Sequence, residues 1–332
     1  MRVRLLLLFL LLILLPGDTT LFGGRPRLGT DTRIRAIAVP LDARDPARRR
    51  LGPLAYLAGW EIRGRDPAFG SFSAMTIEDG VLVMLSDAGG IQRLAVDGAG
   101  AIRGISFADL PGGPGPGREK RERDSESMTR DPATGQIWVG FENANAIGRY
   151  APGFARMEAL ARPRAMRRWP YNGGPEAMVR LRSGRFLVFS ETAGARAGQS
   201  EALAFDGDPT APGAVPLRFY YRPAADYCVT DAVELPDGRV LLLERGVGLP
   251  DLLSAKLSIV DPRAIRADET LPGREIATLA RPITVDNMEA MALAREGGRT
   301  ILWIASDDNF SSPFQRTLLM KFALDEKALG ER

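Results

Sequence analysis

Carboxylates recur in this chain at fixed places within a repeated phrase, and carboxylates without histidine suit hard cations. Glu126, Glu176, Asp231 and Glu289 stand where short apolar runs begin, and Asp87, Glu142, Glu191, Glu244 and Asp307 stand where the following runs end. The densest pairing lies near the C-terminus, where Asp286-Asn287-Met288-Glu289 opens one run and Ser306-Asp307-Asp308-Asn309-Phe310 ends its partner. Asp286, Glu289, Asp307, Asp308 and Asn309 are therefore the set on which a metal is placed first, and oxygen donors alone point to Ca²⁺. Tyr171-Asn172-Gly173-Gly174-Pro175-Glu176 is the second place, since its paired glycines let backbone approach a ligand closely. So many acids at one opening repel unless paired or neutralised, and Arg130, Arg245 and Arg316 are the candidate partners. One acid at a strand end is adequately explained as a cap. Acids at the same edge in every repeat are better explained as a site.

The absent residues narrow the chemistry further. The 332-residue chain has no histidine, which excludes Ser-His-Asp hydrolases, His-dependent phosphatases and the common His-built zinc and iron centres. Cys228 is the only cysteine, so no intramolecular disulfide forms. The net charge of +3 is carried almost wholly by arginine, because the only lysines are Lys120, Lys256, Lys321 and Lys327. Arginine clusters at 48–50, 118–123 and 162–168 sit in Pro/Gly-rich connections mixed with acids, and they read as solvated loops rather than a nucleic-acid surface.

The elements that must position the acids are short. Runs such as 81–85, 137–139, 186–189, 240–243 and 301–304 each follow a turn such as Asp79-Gly80, Thr134-Gly135 or Asp237-Gly238, and each reads as the second strand of a hairpin. Third runs and often fourth runs follow. The phrases begin roughly 50 to 58 residues apart, a period that indicates a propeller or array. The expected fold is an all-β propeller of four-stranded antiparallel blades, with an irregular β-sandwich as the alternative. The repeat count gives five blades. The last blade lacks a convincing fourth strand, and the unassigned run 54–62 is expected to complete it and close the ring. A further early run, 33–40, leaves room for a sixth blade. In such a ring the starts of first strands and the ends of second strands meet at one mouth of the central channel.

Organisation outside the repeats is simple. Arg2 and Arg4 followed by the uninterrupted apolar run Leu5 to Leu15 read as an export signal over residues 1–20, too short to span a bilayer comfortably. No Ala-x-Ala site follows Pro16-Gly17, so cleaved and anchored forms both stand. A single domain is expected over 33–326, periplasmic or secreted, monomeric, and touching a membrane only through the first segment if it is retained.

At these phrases the chain resembles the phytase-like family of exported bacterial propellers with esterase-like activity. The resemblance runs from about Phe69 to Leu324 and rests on Asn172-Gly173-Gly174-Pro175-Glu176, Asp286-Asn287-Met288-Glu289, and Ser306 to Phe310 with Gln315-Arg316-Thr317-Leu318-Leu319. It implies a propeller, export, and Ca²⁺-dependent hydrolysis of a phosphate or other ester. The chain departs from the family at Ser71-Phe72-Ser73-Ala74-Met75, where Gly-Leu-Ser-Gly-Leu is common. It departs again at Glu176-Ala177 and Glu289-Ala290, where Glu-Gly is usual, and at Ala88, where Arg commonly follows Ser-Asp. These changes narrow ligand approach and remove an anion-binding group, which disfavours phytate-sized substrates.

Two classes of function follow. In the enzyme reading, Ca²⁺ on the C-terminal set polarises a small anionic or ester substrate, Glu176 or Glu126 is the base, and Arg245 or Arg316 holds the anion. In the other, the same mouth binds a ligand or envelope partner without turnover.

Overall fold

Each repeated phrase folds into an antiparallel sheet, and five sheets close a ring around a central channel. The structure is a computed structural model that describes residues 28–96, 102–117, 119–191, 198–249, 251–311 and 314–330. The expected export signal lies outside the described residues.

Three strands precede the repeats: β1 (Ile34–Ala38), β2 (Arg50–Leu51) and β3 (Leu54–Gly64). The first blade is β4 (Phe72–Glu78), β5 (Val81–Ser86), β6 (Gly90–Val96) and β7 (Ile102–Asp109). The second is β8 (Ser125–Arg130), β9 (Ile137–Phe141), β10 (Ala146–Tyr150) and β11 (Met157–Ala161). The third comprises β12 (Pro175–Arg180), β13 (Phe186–Ser190), β14 (Ser200–Phe205) and β15 (Leu217–Tyr221). The fourth is built from β16 (Tyr227–Glu234), β17 (Val240–Gly248), β18 (Leu252–Val260) and, after the short β19 (Thr270–Leu271) that extends the third blade, β20 (Gly273–Leu279). The fifth has β21 (Met288–Glu296), β22 (Arg299–Ser306) and β23 (Thr317–Leu324), and its fourth strand is β3, paired antiparallel with β23 from Leu54↔Leu324 to Ile62↔Thr317.

The N-terminal strand thus closes the ring as the sequence indicates. The early run at 33–40 starts no sixth blade, because β1 adds to the outer side of β3 instead. Tight hairpins follow from their turn residues: Asp79 and Gly80 both have positive φ, 48° and 80°, the combination that matches the strand twist.

The apolar runs pack blade against blade. Instead of one central core, five clusters fill the five gaps between neighbouring sheets, for example Leu243, Leu257 and Ile304 between the fourth and fifth blades and Met178, Phe186 and Trp138 between the second and third. Inner strands are buried on both faces, which is why β9 and β13 read as unbroken apolar runs.

The first strand of every blade carries one extra residue at the same height. Register shifts fall around Ser73, Glu126, Glu176, Thr230 and Glu289, opposite the end of the second strand in four blades and opposite Leu243 and Glu244 in the fourth, where β17 runs on to Gly248. A bulge re-aims the side chain it carries. The sequence phrase therefore repeats at the level of backbone geometry.

Candidate functional site

Two tiers of side chains surround the channel mouth. The bulge positions contribute Ser73, Glu126, Glu176, Thr230 and Glu289. The second strands contribute Asp87, Glu142, Glu191, Arg245 and Asp307, each one residue beyond the partner of the residue before the bulge (Ser86, Phe141, Ser190, Glu244 and Ser306); in the fourth blade the ladder runs on through Arg245 to Gly246. Seven of these ten positions are acidic and one is arginine.

The fourth blade corrects the sequence register by one residue. Thr230 holds the bulge, and Asp231 turns away from the mouth to accept hydrogen bonds from Ala232 N at 2.7 Å and Met291 N at 2.6 Å, tying the fourth blade to the fifth. Glu244 likewise leaves the mouth: it accepts from Tyr221 Oη at 2.6 Å and Ala224 N at 3.1 Å, joining the fourth blade to the third. Arg245 occupies the place where the other blades put an acid.

The C-terminal set is spent on other partners. Asp286 accepts from Arg316 Nε at 3.1 Å. Glu289 is paired with Arg245 and accepts from Asn287 Nδ2 at 2.9 Å. Asp308 receives Ser71 N at 2.8 Å and Thr317 Oγ1 at 3.0 Å, which anchors the first blade to the fifth. Asn309 donates through Nδ2 to Gln315 at 2.9 Å and through its backbone to Asp307. Of the set placed first for a metal, Asp307 and Glu289 face the mouth together and the others hold loops and blades in place. Arg130 sits at the opposite end of β8, paired with Glu78 at 3.2 Å, and neutralises nothing at the mouth.

Among the described residues, the carboxylates that converge belong to the second and third blades. Asp124, Glu126 and Glu142 bring oxygens within 4.8 Å of one another, and so do Glu142, Glu176 and Glu191. Glu142 is shared, in hydrogen-bonding contact with Asp124 and Glu176. Burial and then Asp124 push Glu142 up to about 8. Burial, followed by the charges of Asp124, Glu176 and Glu142, holds Glu126 well above the usual carboxylate range. Glu176 is raised in the same way by burial, Glu191, Glu142 and Glu289. Asp307 is raised by burial and Glu289.

Two cations flank this cluster. Arg245 bridges Glu191, at 2.6 Å, and Glu289. Lys120 lies 2.9 Å from Asp87 and 3.2 Å from Asp124; burial opposes its charge, but Asp87, Asp124 and Glu126 outweigh it and hold its proton above the ordinary lysine range. The basic loop around residues 118–123 is therefore not wholly solvated, and Lys120 is a mouth residue that composition alone concealed. Its signal was a lone lysine four residues before Asp124 in a chain that otherwise uses arginine.

Two cations against eight acids at the mouth leave carboxylates in mutual contact, and such contacts need shared protons or a further cation. Asp87 Oδ1 is also buried without a hydrogen-bond partner. The oxygen-only donor set, the two converging triads and this orphaned atom fit a hard divalent cation.

Among solved structures, the chain is similar to a Malassezia sympodialis allergen, with 13% identity over 86% of this chain and 93% of that one and a TM-score of 0.46. A hypothetical protein from Leishmania major gives 12% identity, 79% and 87% coverage and a TM-score of 0.45. A chain of a nidogen/laminin complex gives 9%, 77%, 87% and 0.41. No curated protein matches the chain. The model of the phytase-like family, described as esterase-like activity of phytase, matches residues 67–310, which span all five inner strands and both triads; the chain belongs to that family.

Proposed function

We propose that the chain is an exported, Ca²⁺-assisted hydrolase of phosphate or other esters working at this mouth. The observation that carries the reading is the pair of carboxylate triads sharing Glu142. Asp124, Glu126, Glu142, Glu176 and Glu191 are the residues that would hold the ion. Bound there, it supplies Lewis-acid polarisation of a phosphoryl or acyl oxygen. The remaining work falls to the chain itself. Arg245, fixed between Glu191 and Glu289, presents a guanidinium to an anionic oxygen. Lys120 holds Asp87 and Asp124 in place from the other side. With Glu126 and Glu176 placed as ligands, proton transfer passes to Asp307, which contacts Glu289 and which burial and Glu289 hold well above the usual carboxylate range. Export rests on the basic and apolar opening of the sequence.

The test is turnover of aryl phosphates and aryl esters by the chelated protein with Ca²⁺ restored. Wild type is expected to regain activity, and Glu142→Gln and Glu176→Gln to lose it by two or more orders of magnitude. Undiminished turnover in both variants overturns the assignment. A saturable Ca²⁺ effect on stability with no turnover of any ester leaves the binding propeller as the function.

A further inference from the structure

Beside the mouth, between the fourth and fifth blades, lies a second cavity of about 730 Å³. One wall is the extended β17–β18 hairpin, with Val247, Gly248 and Leu253; the other is the segment before β21, with Ile283 and Val285. Loop 43–44 borders it, stitched in place by Ala43 N to Pro282 O at 3.3 Å and by Thr284 N to Leu41 O at 2.8 Å. The lining joins apolar side chains to Arg44 and Arg281, both exposed and neither in an ion pair among the described residues. Arg245 and Asn287 line the cavity as well, so it opens onto the acid-bearing mouth. Ala43 and Arg44 precede the family match and Arg316 follows it, so this compartment draws part of its wall from residues outside 67–310.

A cavity of this size suits a ligand of drug-like dimensions, and inorganic phosphate would leave most of the apolar wall uncovered. Two guanidiniums without carboxylate partners favour an anionic group. We infer that this cavity binds an organic anion with one phosphate or carboxylate head and an aromatic or branched apolar body. The body lies on Val247, Leu253 and Ile283 and the head near Arg44 and Arg281. Its role as the substrate pocket rests on the hydrolase reading; its binding does not.

Gly248 gives a clean probe, because it lines the cavity, a Cβ added there meets nothing within 4 Å, and its φ is not in the left-handed region. The full chain is titrated with 2-naphthyl phosphate, inorganic phosphate and 2-naphthol by calorimetry. The naphthyl phosphate is expected to bind at least about tenfold tighter than either fragment. Gly248→Trp should remove that binding, and Arg44→Ala/Arg281→Ala should weaken it about tenfold, while both variants keep the Ca²⁺-induced rise in melting temperature. Equal affinity for naphthyl phosphate and inorganic phosphate, or undiminished binding by Gly248→Trp, overturns the inference. Tight binding that Gly248→Trp removes, with no turnover, upholds it and removes the hydrolase reading instead.

Discussion

At the scale of single residues, the mouth is a balance between carboxylates that repel and cations that hold them. Glu142 shows the consequence for pH. In the folded chain it keeps its proton up to about 8, while an unfolded glutamate loses it near the ordinary 4.5. Between those values the folded state binds more protons than the unfolded state, so the stability of the cation-free protein falls as pH rises through that window. Chelated wild type is expected to lose roughly 5 °C or more of melting temperature between pH 5 and pH 8, and Glu142→Gln to show a flatter profile. Saturating Ca²⁺ should remove most of the wild-type slope, because ion binding favours the ionised carboxylates. A wild-type profile as flat as the variant's would show that Glu142 titrates normally. Much of this site was legible in the sequence: Glu126, Glu142, Glu176, Glu191, Glu289, Asp307, Asp87 and Arg245 all reach the mouth. Asp231 and Glu244 do not, because a bulge shifts facing by one residue and the fourth blade's phrase reads equally well in either register. Lys120 was hidden because a lysine in a basic loop has no periodicity to betray what it touches.

At the scale of strands, polar side chains between blades carry structure. Asp231 and Glu244 are the clearest, each linking its blade to a neighbour from a buried position. Removing either acceptor strands buried donors, at about 1–3 kcal/mol each. Asp231→Ala and Glu244→Ala are expected to lower the urea midpoint while keeping the increment that Ca²⁺ adds. Glu176→Gln should do the reverse, with stability retained or raised and the increment gone. If Asp231→Ala abolishes the Ca²⁺ increment, that carboxylate belongs to the site after all. Strand positions were readable because paired apolar runs and Gly turns have a short period. The C-terminal acids misled for a physical reason: Asp308 and Asn309 sit in a tight turn, and turn-forming Asp and Asn have the same composition as ligands.

At the scale of the molecule, the fold depends on a strand from outside the repeats. β3 supplies the pairing that β23 otherwise lacks, and Ile62 and Leu54 enter the clusters on both sides of the fifth blade. A chain beginning at Pro67 still contains the region matched to the family but is expected to lose its cooperative melting transition and associate through the exposed edge of β23, checked by calorimetry and size-exclusion chromatography. A monomeric fragment with a sharp transition would show that the fourth strand of the last blade is dispensable. The number of blades was legible because five phrases exist to be counted. The division of the core into five clusters was not, since length says nothing of how apolar area is divided. The same closure sets a timetable for the newborn chain. β3, made before any blade and joined at once to β1 and β2, must wait for β23, so every blade between them can form while the circle itself stays open. The emergence of β23 decides whether the earlier work becomes a ring.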